Sequence, residues 1–484
     1  MELFENTVHF DGGETVFEEG QGSDFVYVVE QGRCIAANNE QVFANFVKNQ
    51  VFGEMGVLRK RPRFSSVRAV RDTIALEFPA EIFRAFLKSN LELQGQYFNL
   101  IANRALAGSA SHSKTFGGEK ECYIVTILPT MPSSKHFSSF AADVKKALQT
   151  THGSCKMICE KDEVNLRQHL EMFENTYRYL LLVADEPTSG EWNDACLRNS
   201  DCIVIVNIDG KSTRRDVRRL DNIINVLGSS RKIIAVNGTT RIGLKTAPHS
   251  DFFREIKENF PSVQSKSLKF FSCINVRLGL QEDIARVARY ITDTTVQVVL
   301  SGGACHGYMH LGAIEYLTRL GIPIDVIGGS SSGALVSALY AANGGTLDKS
   351  LIAYINTIRP SVAMTKDFAF LDLFSFPIVA IKNGRWETKK CKESFGELHF
   401  EDLFLNVFAV STNLSTSEKC VHREGLLWPS VRASGNLPLL NAPCIVDGQV
   451  LTDGGVLDNL PTSVAKENGP GGYIIAINVS ETLR

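Results

Sequence analysis

The sequence predicts a multidomain chain: an N-terminal β-roll, a middle α/β domain with a parallel sheet, and a C-terminal α/β domain built around one serine-bearing turn. Three observations predict it. Between Val8 and about Phe78 short alternating runs are punctuated by glycine, the spacing of an all-β roll or barrel. Between Cys122 and Arg289 continuous apolar runs alternate with amphipathic stretches, which argues a parallel sheet covered on both faces. After Gln297 two strand-to-helix turns follow each other, the second carrying Gly329-Ser-Ser-Ser-Gly333. A chain of 484 residues fits roughly three domains of about 150 residues, expected at 1–112, 121–290 and 296–484.

Composition narrows the function classes. A formal charge of −2 supplies no basic field, so nucleic acid is not expected as a partner. The eleven cysteines are scattered, odd in number and without a C-x-x-C pair, and no signal peptide precedes them, so free thiols in a reducing, cytoplasmic compartment are expected. His152, Cys155 and Cys159 match no common zinc spacing, and no metal is expected. No apolar run reaches the ~18 residues of a membrane-spanning helix, so any membrane contact should be peripheral.

In the first third the strands are expected at Thr15-Val-Phe, Phe25 to Val29, Cys34-Ile-Ala, Val42-Phe, Val67 to Val70 and Ile74-Ala-Leu. Within them lies Phe52-Gly-Glu-Met-Gly-Val-Leu-Arg-Lys-Arg-Pro-Arg-Phe64. A tight Gly-Glu turn with an arginine about ten residues on offers backbone N–H groups and a guanidinium to a phosphate, and a carboxylate to a sugar hydroxyl. These residues, with Glu30-Gln-Gly32, resemble the phosphate-binding cassette of cyclic-nucleotide-binding domains over residues 8 to 112. The resemblance implies a cyclic nucleotide as partner, with Gly53 and Glu54 facing the ribose and phosphate and Arg63 holding the cyclic phosphate. Phe64 stands where that family usually has a small residue, and the chain starts almost at the first strand. Residues 80 to 107 read as the helices that close the roll, and 107 to 120 as a linker.

In the middle third the strands are Tyr123 to Leu128, Tyr179 to Ala184, Cys202 to Val206 and Lys232 to Val236. The first runs into Pro129-Thr-Met-Pro-Ser-Ser, with neither G-x-G-x-x-G nor G-x-x-x-x-G-K-[ST]. No cofactor is expected, and the domain reads as a scaffold. Asp185 and Asp209 at strand ends read as caps, and Arg214, Arg215, Arg218 and Arg219 as a solvated helix face.

The last third opens with a strand from Gln297 that enters Ser301-Gly-Gly-Ala-Cys-His-Gly307 and then a helix ending at Leu320-Gly321. Gly302 and Gly303 leave backbone N–H groups unobstructed near a helix N-terminus, as an oxyanion hole requires. Asp325 to Gly328 reads as the next buried strand, and it delivers Ser331, the centre of a G-x-S-x-G elbow, to a helix with small residues at Ala334, Ser337, Ala338 and Ala341. A serine needs a base. His399 and His422 follow it, and a Ser…Asp…His order then needs an acid before His422. The other candidate is Asp453 in Leu451-Thr-Asp-Gly-Gly-Val-Leu-Asp-Asn-Leu-Pro461, where two glycines allow close approach. Residue types alone leave both open.

The glycine loop, G-x-S-x-G and Asp-Gly-Gly in this order resemble a patatin-like phospholipase domain, an α/β hydrolase. With the roll and the α/β middle, and with Phe408-Ala-Val-Ser-Thr-Asn413 and Val431-Arg-Ala-Ser434, almost the whole chain resembles the neuropathy target esterase family of lysophospholipases. The resemblance implies a Ser–Asp dyad, with Ser331 as nucleophile and Asp453 as base, and the N–H groups of Gly302, Gly303 and Ala304 as oxyanion hole. It implies a serine esterase acting on phospholipid or lysophospholipid at a membrane surface, that of the endoplasmic reticulum. Ala304 stands where the family has a third glycine and His306 where it has arginine or lysine, and loss of one oxyanion donor typically costs about two to three orders of magnitude in rate. The alternative is a catalytically weak or inactive regulator that binds lipid or cyclic nucleotide. The chain stops soon after an apparent core strand at Tyr473 to Val479, so closing helices are expected to be missing. Phe368-Ala-Phe-Leu-Asp-Leu-Phe-Ser-Phe376 reads as buried core, or as a lid at a lipid interface.

Overall fold

A computed structural model describes residues 6–38, 41–89, 122–130, 135–160, 166–184, 190–209, 232–241, 245–247, 251–259, 271–362, 380 and 382–480. The expected linker, Asp185, the Arg214 to Arg219 cluster and the Phe368 to Phe376 run lie outside them. The chain forms two compact units, one of Met1–Val206, Ser212–Ile234 and Arg254–Phe271, the other of Asn207–Lys211, Ala235–Phe253 and Ser272–Arg484.

The first unit begins with two four-stranded antiparallel sheets. One has the order Asn6–Phe10, Thr73–Pro79, Phe25–Gln31, Val51–Phe52; the other has Thr15–Phe17, Ser66–Ala69, Cys34–Asn38, Gln41–Phe46. The alternation seen in the sequence is the alternation of faces. Phe17, Tyr27, Val29, Phe46, Phe52 and Val67 turn inward as one core, with the Tyr27 and Phe52 rings stacked at 5.2 Å. The parallel strands Cys155–Cys159, Tyr179–Val183, Tyr123–Pro129 and Cys202–Ile208 follow, side by side in that order. Every residue of Tyr179–Val183 is buried, which explains why such strands read as unbroken apolar runs. The helix Lys135–Thr151 covers them through Phe137, Phe140, Ala141, Val144 and Leu148, a single face at helical spacing.

The second unit is organised on a seven-stranded sheet. Its path runs Cys444–Val446, Gln449–Asp453, Asn406–Asn413, Val326–Ser330, Val296–Leu300, Tyr473–Ile477, and Glu418–His422 pairs with Asn406–Asn413. The strand carrying the serine lies between Val296–Leu300 and Asn406–Asn413, parallel to both, and is wholly buried. Its start is anchored by Asp325, whose buried carboxylate takes a forked pair of bonds from Arg289 at 2.9 and 2.7 Å and a third from the Val296 N–H at 2.9 Å. The helix Ser332–Ala342 is buried on almost every side, hence its small residues. A Cβ on Gly329 or Gly333 would strike the Leu300 carbonyl, and one on Gly328 the Phe408 ring. The glycines around the serine are thus demanded by sheet and helix packing. Among the described residues no helix is long and apolar enough to cross a membrane.

Candidate active site

Ser331 occupies the single step between its strand and its helix, at φ 54°, ψ −120°. A non-glycine residue rarely adopts positive φ, and the surroundings hold it there. Its N–H donates to Ser434 Oγ at 2.9 Å, and Ser434, buried at the end of the helix Leu427–Ser434, donates in turn to the Val410 carbonyl at 2.6 Å.

The serine hydroxyl donates to Asp453 Oδ2 at 2.7 Å. Asp453 ends its strand, is 2% exposed, donates its N–H to the Asn436 carbonyl at 2.9 Å and accepts the Gly455 N–H on Oδ1 at 2.7 Å. Burial pushes its carboxyl above the ordinary carboxylate range, while the bonds from Ser331 and Gly455 pull the other way. The glycine after it is required by contact: a Cβ on Gly454 would strike the Val410 carbonyl and Ser330 Oγ.

The glycine loop lies beside the serine, since a Cβ on Gly302 would stand 3.0 Å from Ser331 Cβ. Its three amides differ. The Gly302 N–H donates to the Asn459 carbonyl at 3.0 Å, whereas the Gly303 and Ala304 N–H groups are engaged by no described residue. Ala304 adopts φ 48°, which accounts for a glycine being the ordinary choice at such a position. Outside the loop, Tyr354 donates to the Ala304 carbonyl at 3.1 Å and His306 Nδ1 lies 3.2 Å from the Val479 carbonyl.

The two histidines are placed elsewhere. His399 precedes the short turn Phe400–Asp402 in a capping box with Asp402, and His422 Nε2 meets Ser411 Oγ at 2.7 Å, with burial pushing the imidazole down to about 4. The structure brings Ser331, Asp453 and the glycine loop together, and joins neither histidine to the serine. Residue patterns did not point to Ser434 as the anchor of the Ser331 amide, nor to Asn459; their partners are 103 and 157 positions away in sequence, beyond the reach of any local spacing.

In the roll, Gly53, Glu54 and Arg63 also meet. Gly53, at φ 81°, precedes the helix Glu54–Arg59, and Glu54 is buried. Arg63 turns inward: it donates to the Gly53 carbonyl and to the Phe25 carbonyl, both at 2.8 Å, and its guanidinium lies 3.9 Å from the Phe17 ring centre. Phe64 beside it is 62% exposed, so the bulk at this position points away from the core.

Three family models match the chain: cyclic nucleotide-binding domain over residues 7–90, Neuropathy Target Esterase family P-loop like domain over 124–230, and patatin-like phospholipase over 298–466. Among curated proteins, a lysophospholipase NTE1 of Cryptococcus neoformans var. neoformans serotype D is 26% identical over 521 residues, covering 95% of this chain and 32% of that protein. The lysophospholipase NTE1 of Mycosarcoma maydis is 24% identical, covering 94% and 28%. The chain therefore spans about a third of the length of the curated relatives it matches. Among solved structures, a putative cyclic nucleotide-binding protein from Geobacter metallireducens GS-15 aligns with 22% of this chain and 79% of its own at 19% identity, TM-score 0.19. A cyclic nucleotide-binding domain, a P-loop-like domain and a patatin-like phospholipase domain thus follow one another along a chain that resembles the neuropathy target esterase family over almost its whole length.

Proposed function

We propose that the chain is a serine esterase that hydrolyses the acyl esters of lysophospholipids or phospholipids through a Ser–Asp dyad. The observation that carries this reading is the 2.7 Å bond from Ser331 Oγ to Asp453 Oδ2 at a half-buried elbow. Ser331 Oγ attacks the ester carbonyl carbon while its proton passes to Asp453 Oδ2. The negative charge moves to the carbonyl oxygen, beside the open amides of Gly303 and Ala304. Collapse breaks the ester C–O bond, the leaving alcohol takes the proton from Asp453, and the acyl group stays on the serine. Water then attacks the acyl carbonyl carbon as Asp453 takes its proton, the bond from that carbon to Ser331 Oγ breaks, Oγ recovers the proton from Asp453, and the fatty acid leaves. An aspartate is a weak base in water, and a carboxyl raised by burial is a better one. The names of the curated relatives support the substrate class.

Such substrates reside in membranes, and we propose that the chain works from the cytoplasm, peripheral on a membrane surface, that of the endoplasmic reticulum by family resemblance. For the roll we propose a regulatory role in which a cyclic nucleotide draws Arg63 from the carbonyls of Gly53 and Phe25 onto its phosphate. Labelling of the folded protein with a fluorophosphonate tests the esterase reading: attachment at Ser331 supports it, and an unlabelled Ser331 rejects it. Fatty-acid release from lysophosphatidylcholine micelles then checks the substrate class.

A further inference from the structure

The glycine loop and the aspartate turn approach Ser331 from different parts of the chain, and one side chain lies between them. Asn459 takes the Gly302 N–H on its own backbone carbonyl at 3.0 Å, and its Nδ2 reaches toward the Gly302 carbonyl at 3.5 Å. Both polar groups of Gly302 are therefore turned toward one residue. A Cβ built on Gly302 would strike Asn459 Oδ1 and stand 3.0 Å from Ser331 Cβ. One built on Gly455 would stand 2.8 Å from the same Asn459 oxygen and 3.0 Å from Asp453 Oδ1. The carboxamide thus fills the wedge that two glycines leave open, against the loop on one side and the aspartate turn on the other.

The consequence concerns which amides face the reaction. Gly302 is occupied, so its N–H is withdrawn from the oxyanion, and the peptide plane it shares with Ser301 is held. The amides that follow, at Gly303 and Ala304, are left unengaged. We infer that Asn459 is a positioning residue: it holds the glycine loop in register with the Ser331–Asp453 pair, so that Gly303 and Ala304 rather than Gly302 meet the developing charge. This rests on the dyad reading above. It adds a residue that transfers no proton but sets the geometry in which the transfer is useful, and small displacements of such donors are costly.

The test uses the full chain with Asn459→Ala and Asn459→Asp. Both keep the backbone carbonyl that takes the Gly302 N–H; the first removes the wedge, and the second keeps its size but removes the N–H donor and sets a carboxylate near Asp453. The readouts are the rate of fluorophosphonate attachment to Ser331, kcat and KM on a monomeric p-nitrophenyl ester, and the melting temperature. The expected result is a fall in labelling rate and kcat of about 100-fold in both variants, with KM changed less than about twofold and a cooperative melt retained. Labelling at the wild-type rate in the folded variants overturns the inference, and so does a loss that only tracks the fraction of unfolded protein. If Ser331 is unlabelled in the wild type, the dyad reading itself fails and takes this inference with it.

Discussion

Ser331 and Asp453, 122 positions apart in sequence, share a 2.7 Å hydrogen bond because one follows and the other ends a strand beside the same neighbour. Ser330 pairs with Val410 of Asn406–Asn413 in a parallel ladder, and Asp453 pairs with the next residue, Ser411, in an antiparallel one. One step of register in either strand would carry the hydroxyl and the carboxylate to different faces of the sheet.

Removal of either partner should abolish hydrolysis without unfolding the protein. Ser331→Ala and Asp453→Asn are each expected to cut fatty-acid release by at least about three orders of magnitude, as in other hydrolases whose residues act as a unit. His399→Ala and His422→Ala should retain most activity, since neither ring bonds the serine. A lethal histidine variant with a tolerant Asp453→Asn would reverse the assignment.

The raised carboxyl of Asp453 sets the pH behaviour. Base catalysis needs the ionised form, so kcat should fall on the acid side at a pH above the ordinary aspartate value of about 4. Stability runs the other way. Between that value and the raised one, folded protein holds a proton that the unfolded chain has released, so stability declines as pH rises through that window. Asp453→Asn should therefore melt no lower than the wild type at neutral pH, and a lower melting temperature would show that the ionised carboxylate is stabilising.

Ala304 holds a left-handed backbone that its methyl disfavours. Ala304→Gly should stabilise the fold by about 1 kcal/mol and speed serine labelling, while Ala304→Val should do the reverse. Thermal melts and labelling rates on the three proteins measure it.

Ser434→Ala would leave the Ser331 amide and the Val410 carbonyl without their shared partner. The expected cost is about 1–3 kcal/mol of stability. Labelling should also slow, because the strained elbow loses its anchor. A variant as stable and as reactive as wild type would show that the amide finds another acceptor.

In the roll, Arg63→Met removes the donors of two backbone carbonyls and should lower its stability by about 1–3 kcal/mol. Millimolar cyclic AMP or cyclic GMP should raise the melting temperature of the wild type and leave that of Arg63→Met unmoved. No shift in either protein would reject the proposed nucleotide site and leave Arg63 as an internal clamp.

Much of the chain was legible without coordinates, because short-range pattern is short-range physics. Alternation made the roll, unbroken apolar runs made the parallel strands, and glycines flanking Ser331 announced a turn where a side chain would strike Leu300 or Phe408. Local pattern was enough to put Ser331 on an elbow and a turn open to close approach after Asp453. Long-range packing makes these two meet while His399 and His422 bond elsewhere, gives the Gly302 amide to Asn459, and turns Arg63 onto the roll's own backbone. Local backbone shape follows from neighbours along the chain, but a hydrogen bond across 122 residues depends on the register of three strands, and no spacing within one segment carries that register.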